Sequence, residues 1–244
     1  MKPRISILIL VLLMVYAYPV NAGPPFLTDD PEPVPYKHWE FYIASISTFQ
    51  PHNWSGTAPH IEVNYGFVHR MQIHLLLPLN YSYVPHATAY FGYGDTEVGV
   101  KYCFVRETDH RPQIGTFPIF EIPTLKNDRF TDGKMKVFIP VWIQKSWNKL
   151  TSYGGVGYWF NPGPQNKNSF FAGWELQYDF SPVVTLGGEL YYQTAQTIGD
   201  RSVTAFNVGG SVNPSETTHV IFSVGHSLVH GNFFTSYLGL LWTF

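Results

Sequence analysis

Glu62, Glu97, Glu121, Glu175, Asp179 and Glu189, together with Lys101 and His74, stand out because each lies in a stretch where polar and apolar residues alternate. Carboxylates outnumber cations in this set, and His60 and Arg70 lie nearby in the sequence. In a confined passage, acidic side chains repel anions and favour neutral or cationic solutes. Paired with lysine, arginine or histidine, the same groups would instead fill a narrow interior and close it.

Other chemistry is harder to build from this chain. The ten histidines, among them His60, His69, His74, His86 and His110, lack metal-ligand spacing, so no metal and no cofactor is expected. His226 and Ser227 invite a hydrolase reading, but adjacent strand residues point to opposite faces, which separates base from nucleophile. The single cysteine, Cys103, cannot form an intrachain disulfide, and a small buried side chain is the expected role. A net charge of -2 and a pI near 6.5 give no basic footprint for nucleic acid.

The elements that must position these groups follow from the alternation. From Phe170 to Phe180, Phe170, Ala172, Trp174, Leu176, Tyr178 and Phe180 share one face, and Phe171, Gly173, Glu175, Gln177 and Asp179 share the other. Ile61, Val63, Tyr65 and Phe67 likewise oppose His60, Glu62 and Asn64, while Val98, Val100, Tyr102 and Phe104 oppose Glu97, Lys101 and Cys103. Aromatics make up 17% of the chain and charged residues 13%, against about a quarter charged in a typical globular protein. A mean hydropathy of -0.06 is what lipid-facing and water-facing residues produce when they alternate along strands.

Ahead of these blocks, residues 1–22 read as a secretory signal, with Lys2 and Arg4 before an apolar run from Ile5 to Tyr18 and a mature start at Gly23. The run is short for a spanning helix. Residues 23–36 are a proline-rich periplasmic leader, and residues 37–244 form the barrel. About twelve antiparallel strands are expected, near 37–48, 57–68, 70–81, 95–105, 113–123, 134–145, 149–161, 169–180, 183–195, 202–213, 217–227 and 232–244, with ten or fourteen if a weak block vanishes or splits. Breaks at 69–70, 146–148, 181–182 and 214–215 are tight, and those at 50–56, 83–94, 125–133, 162–168 and 196–201 are longer, as turns and loops alternate in outer-membrane barrels. The break at 106–112 is long where a short one is expected. This is an all-β, transmembrane antiparallel barrel of the bacterial outer membrane.

A resemblance adds to this reading. Gly23-Pro-Pro-Phe-Leu-Thr-Asp-Asp-Pro-Glu-Pro-Val34, His38-Trp39-Glu40-Phe41-Tyr42, Phe120-Glu121-Ile122-Pro123-Thr124, Val141-Trp142-Ile143-Gln144-Lys145-Ser146-Trp147, Gly173-Trp174 and the run from Tyr153 to Gly163 are similar, in order and spacing, to outer-membrane proteins grouped under the MetA pathway of phenol degradation. Leu125 departs from the glycine expected after Pro123-Thr124. The resemblance implies an outer-membrane barrel and transport of aromatic or other poorly polar compounds. A channel or transporter for such molecules is the first reading. A lipid-modifying barrel enzyme and a structural barrel with a closed lumen are the alternatives. The partners expected are outer-membrane lipid, small-molecule cargo and the barrel-assembly machinery.

The last block ends in Phe244, with Phe234, Leu238, Leu240 and Trp242 on the same face, which resembles the C-terminal assembly signal of outer-membrane proteins. Deleting Phe244, or changing it to Asp, should lower the yield of heat-modifiable folded barrel more than the same change at Thr243. Equal yields on unboiled gels would remove the terminal aromatic as the signal.

Overall fold

The computed structural model describes residues 23–124 and 129–244. The expected signal segment and Leu125 lie outside the described residues. Among the described residues, fourteen strands run in chain order: β1 Trp39–Gln50, β2 Asn53–Val68, β3 Met71–Tyr83, β4 Tyr90–Tyr93, β5 Thr96–Val105, β6 Gln113–Thr116, β7 Ile119–Ile122, β8 Lys136–Trp147, β9 Leu150–Phe160, β10 Ser169–Asp179, β11 Val184–Gln193, β12 Val203–Val212, β13 Thr218–Val229 and β14 Phe234–Thr243.

All pairings are antiparallel, and β1 joins β14 in register from Glu40 with Thr243 to Phe49 with Phe234. The sheet is therefore a closed barrel of twelve staves. The two extra strands arise locally. β4 pairs only with the upper part of β3, from Leu79 with Tyr93 to Ser82 with Tyr90, inside the loop that leads to β5. The expected strand 113–123 is split into β6 and β7, which share one position between β5 and β8.

The split has a chemical cause. Gly115 lies opposite Trp142 and Ile119 opposite Phe138, so Phe117-Pro118 faces the stretch around Pro140. Neither proline has an N–H to give the ladder, and a proline within a sheet favours such irregular places. Val100 N still reaches Pro118 O at 3.2 Å, and the Thr116 hydroxyl donates to Pro140 O at 2.6 Å.

Tight turns lie at the end that carries both chain ends. Arg70 and Asn148 adopt left-handed backbone there. The connection from β5 to β6 remains long at this end, braced by a Thr108–Arg111 bridge and by Lys145 Nζ on Glu107 at 2.8 Å. At the opposite end, β1 and β2 join through Pro51 and His52 alone, and β2 already begins at Asn53, which corrects the longer loop expected at 50–56. The other loops at that end are mostly long, the usual asymmetry of periplasmic turns and outer loops.

Outward side chains are apolar along most staves. Trp174 and Leu176 are 54% and 50% exposed, and Glu175 between them is 0% exposed. A surface of Ile43, Ile73, Val100, Ile139, Val141, Leu190 and Leu238 left open to water would be costly; lipid is the solvent it suits. Leu176→Arg should therefore destabilise the folded barrel by ~2–4 kcal/mol if the site lies near the bilayer midplane. Unfolding by denaturant in lipid vesicles measures this, and an unchanged midpoint would mean that the face does not meet lipid.

Candidate functional site

The interior divides into two zones. In the half nearer the chain ends, residues 23–36 run inside the barrel, and Phe26, Thr28, Asp30, Pro31 and Val34 are buried there. The sequence shows this leader to be proline-rich and no strand, but nothing in it announces that the wall will enclose it. The wall holds it by polar side chains. Glu189 accepts hydrogen bonds from the amides of Leu27 and Thr28 at 2.9 and 2.8 Å. Gln72 Oε1 accepts from Val34 N at 2.7 Å, and the Ser223 hydroxyl donates to Pro25 O at 2.7 Å. Gln113 donates through Nε2 to Glu32 and to Pro31 O.

Lys101 is the cation of this zone. Its Nζ lies 2.9 Å from Asp29 Oδ1 and 3.5 Å from Asp30 Oδ2. Burial pushes the Asp30 carboxyl well above the ordinary carboxylate range, against the pull of Lys101. Where the leader joins β1, Lys37 N donates to Gly66 O at 2.7 Å. A Cβ on Gly66 would stand 2.0 Å from Pro35 O, so only glycine lets the leader enter beside β2.

Along β2, β3 and β5 a polar ladder climbs the wall. Asn64 donates to Glu62 at 2.8 Å, and His74 Nδ1 donates to Asn64 Oδ1 at 2.8 Å while lying 3.5 Å from Glu62. Glu97 is 3.9 Å from His74 Nε2, and His60 is 3.9 Å from Glu62. Higher up, Lys136 lies 2.9 Å from Glu121 and 3.3 Å from Asp95.

The other zone is aromatic. Phe117, Phe138, Trp142, Phe171, Tyr191 and Ala205 form one buried cluster on the inner face of the loop-side half, with Ile119, Trp159, Val203 and Phe233 packed against it. Phe138 stacks on Trp159 at 4.8 Å, and Phe171 on Tyr191 at 6.1 Å. The zones meet where Lys101 Nζ stands 5.1 Å over the Phe117 ring and His74 meets the same ring edge-on at 5.2 Å.

Of the residues singled out in the sequence, Glu62, His74, Lys101, Glu175 and Glu189 are buried, and Glu97 and Glu121 are half-buried. Asp179 is exposed at the end of β10, where Thr185 donates to it at 2.5 Å. Glu175 accepts from Gln177 Nε2 at 2.8 Å. Sequence reasoning missed Asp29, Asp30, Gln113 and the gathering of inward rings into one cluster. The parity that placed Glu175 inward also places Phe171 inward, and that was the available signal. Tyr158, Trp174, Tyr178 and Tyr192 are exposed, as girdle residues are, whereas Tyr191 is buried inside.

Two cavities adjoin these zones. One of about 100 Å³ is lined by Glu121, Lys136, Trp159, Asn161 and Gln196. Another of about 400 Å³ lies at the end carrying the chain ends, between Glu32–Tyr36 of the leader and Arg70, Cys103, Arg106, Glu107 and Gln113. Among the described residues, no group of three or more His, Cys, Asp or Glu is placed to hold a metal ion.

Comparison with solved structures finds bacterial outer-membrane barrels. A COG4313 outer membrane channel from Pseudomonas putida F1 superposes with a TM-score of 0.70 at 16% identity, over 88% of this chain and 98% of that one. The KdgM porin, solved in complex with disordered oligogalacturonate, gives a TM-score of 0.56 at 13% identity, over 83% and 99% of the two chains. The NanC porin gives 0.56 at 9% identity, over 83% and 98%. No family model and no curated protein matches the sequence. The chain has the fold of the outer-membrane β-barrels, and its apolar outer surface places it in the bacterial outer membrane.

The aromatic cluster is also a packing unit. Trp142→Ala should cost about 3–5 kcal/mol of stability, the usual range for emptying a buried tryptophan site. A shift of the denaturation midpoint in detergent checks this; no shift would mean that the indole is not packed.

Proposed function

We propose that the barrel is a channel for small aromatic or apolar molecules across the outer membrane. The observation that carries this is the inward aromatic cluster of Phe117, Phe138, Trp142, Phe171 and Tyr191, whose buried rings back the part-exposed Ile119, Trp159, Val203 and Phe233, an apolar inner surface that a water-filled passage for sugars or ions has no need of. The interior is not solid: Leu27, whose amide is bonded to Glu189, is itself 56% exposed. The resemblance to the MetA-pathway proteins points to the same cargo class, and the likeness in fold to a COG4313 channel and to porins agrees with passage. Outer-membrane lipid and the assembly machinery, through Phe244, complete the partners of this reading.

Glu62 and Glu121 are paired with His74 and Lys136, and with Glu97, Glu175 and Glu189 the wall carries more carboxylates than cations, an excess that favours neutral or cationic cargo over anions. An enzymatic role has less support. Ser227 is buried and accepts Phe233 N at 3.1 Å, while His226 is exposed on the opposite face. A closed structural barrel is the second reading, favoured by the leader inside the lumen.

The test is uptake by cells of a porin-deficient strain. Expression of the protein should raise entry of the neutral aromatic N-phenyl-1-naphthylamine several-fold, and entry of anionic 8-anilino-1-naphthalenesulfonate much less. Uptake equal to that of cells lacking the protein would favour the closed barrel. Equal gains for both dyes would remove the role of the acidic wall.

A further inference from the structure

We propose that residues 23–36 are a displaceable stopper, which leaves its seat between Lys101 and Glu189 to let cargo pass and then returns. This rests on the channel reading above.

The seat is built to be left. Among the described residues, no backbone–backbone hydrogen bond joins residues 23–36 to a strand of the wall; such bonds begin at Lys37, with Gly66 O. Pro24, Pro25, Pro31, Pro33 and Pro35 have no amide hydrogen to offer. The anchors are wall side chains instead: the Glu189 carboxylate on two amides, Gln72 on a third, and Lys101 on two carboxylates. Each is a polar group on the inner wall that water can solvate once the leader has gone. A strand woven into the ladder would have to break a row of cooperative bonds to move; this segment exchanges its contacts one by one.

The seat is also poorly balanced. Asp29 and Asp30 bring two carboxylates into a zone where Glu175 and Glu189 already stand and Lys101 is the cation that pairs with them, while Glu32 shares a cavity with Arg70 and Arg106. Thr28 Oγ1 is buried without a hydrogen-bond partner, which burial makes unfavourable. A stopper that was purely structural would gain from resolving both defects. The tether has the right direction as well: the segment joins β1 through Lys37 at the end carrying the chain ends, and with a mature start at Gly23 its inner end is free to withdraw that way.

A covalent lock tests the proposal. A Cβ on Gly115 would lie 2.9 Å from Pro31 Cβ and 2.8 Å from Tyr102 O, so the leader and the Gly115 backbone must both ease apart by under an ångström, which also brings the Cβ pair into the ~3.5–4.5 Å range of disulfides. The double variant Pro31→Cys/Gly115→Cys, in a Cys103→Ser background to prevent mispairing, is oxidised after assembly, and folding is confirmed by heat-modifiable mobility. Uptake of N-phenyl-1-naphthylamine should fall to the level of cells lacking the protein, and tris(2-carboxyethyl)phosphine should restore it on the same cells. Equal uptake before and after reduction, both above cells lacking the protein, would overturn the stopper and leave the channel standing. Wild-type uptake no higher than in cells lacking the protein would overturn the channel reading, and the stopper with it.

Discussion

Inside a bilayer no water can pair a backbone amide or carbonyl, so a spanning sheet has to close on itself. Here closure is the ten-residue register between β1 and β14, carried to the last residue by Trp39 and Phe244, which exchange backbone hydrogen bonds at 2.9 and 3.0 Å. The rest of the molecule depends on that seam. With the edge removed, two-residue parity sorts the side chains between register shifts, such as that between Ala44 and Ile46, into lipid or interior, and the interior becomes a separate space with its own chemistry.

That space is asymmetric along its length because the inward positions carry different residues at the two ends of the staves. On β10 the inward run is Ser169, Phe171, Gly173, Glu175, and on β11 Tyr191 stands one inward position beyond Glu189. On these two staves the aromatic rings thus lie toward the loops and the carboxylates toward mid-barrel. Gly173 sits at the change of character: a Cβ there would stand 2.1 Å from Thr28 Oγ1, so the missing side chain is what admits the leader's tip beneath Phe171.

Parity was legible in the sequence, and with it the barrel and the twelve staves; Glu62, His74, Lys101, Glu175 and Glu189 are buried in this structure. The rest was not, for particular reasons. The split at Phe117-Pro118 depends on Pro140, which becomes its neighbour only when β8 pairs with β6 and β7. β4 is four residues long and exists only because the end of β3 extends past β5 and offers it an edge. The Pro51-His52 hairpin was hidden because Gly56 and Pro59 punctuate a strand that nonetheless continues through them, with its register shifted between Thr57 and His60. Asp179 follows inward parity but stands at the strand's end, where the wall no longer encloses it.

The leader shows most clearly how a correct local reading can leave a tertiary question open. Five prolines in thirteen residues rule out a strand, because they cannot feed a ladder. The same deficit makes the segment suited to a lumen. A chain with few amide hydrogens can be enclosed with few anchors, and three of its remaining donors, on Leu27, Thr28 and Val34, each find a wall carboxylate or amide oxygen. Its acidic residues Asp29 and Asp30 meet Lys101, a cation that parity had already turned inward. The leader's place therefore follows from the complementarity of two stretches some seventy residues apart, and it exists only after the barrel has closed around them.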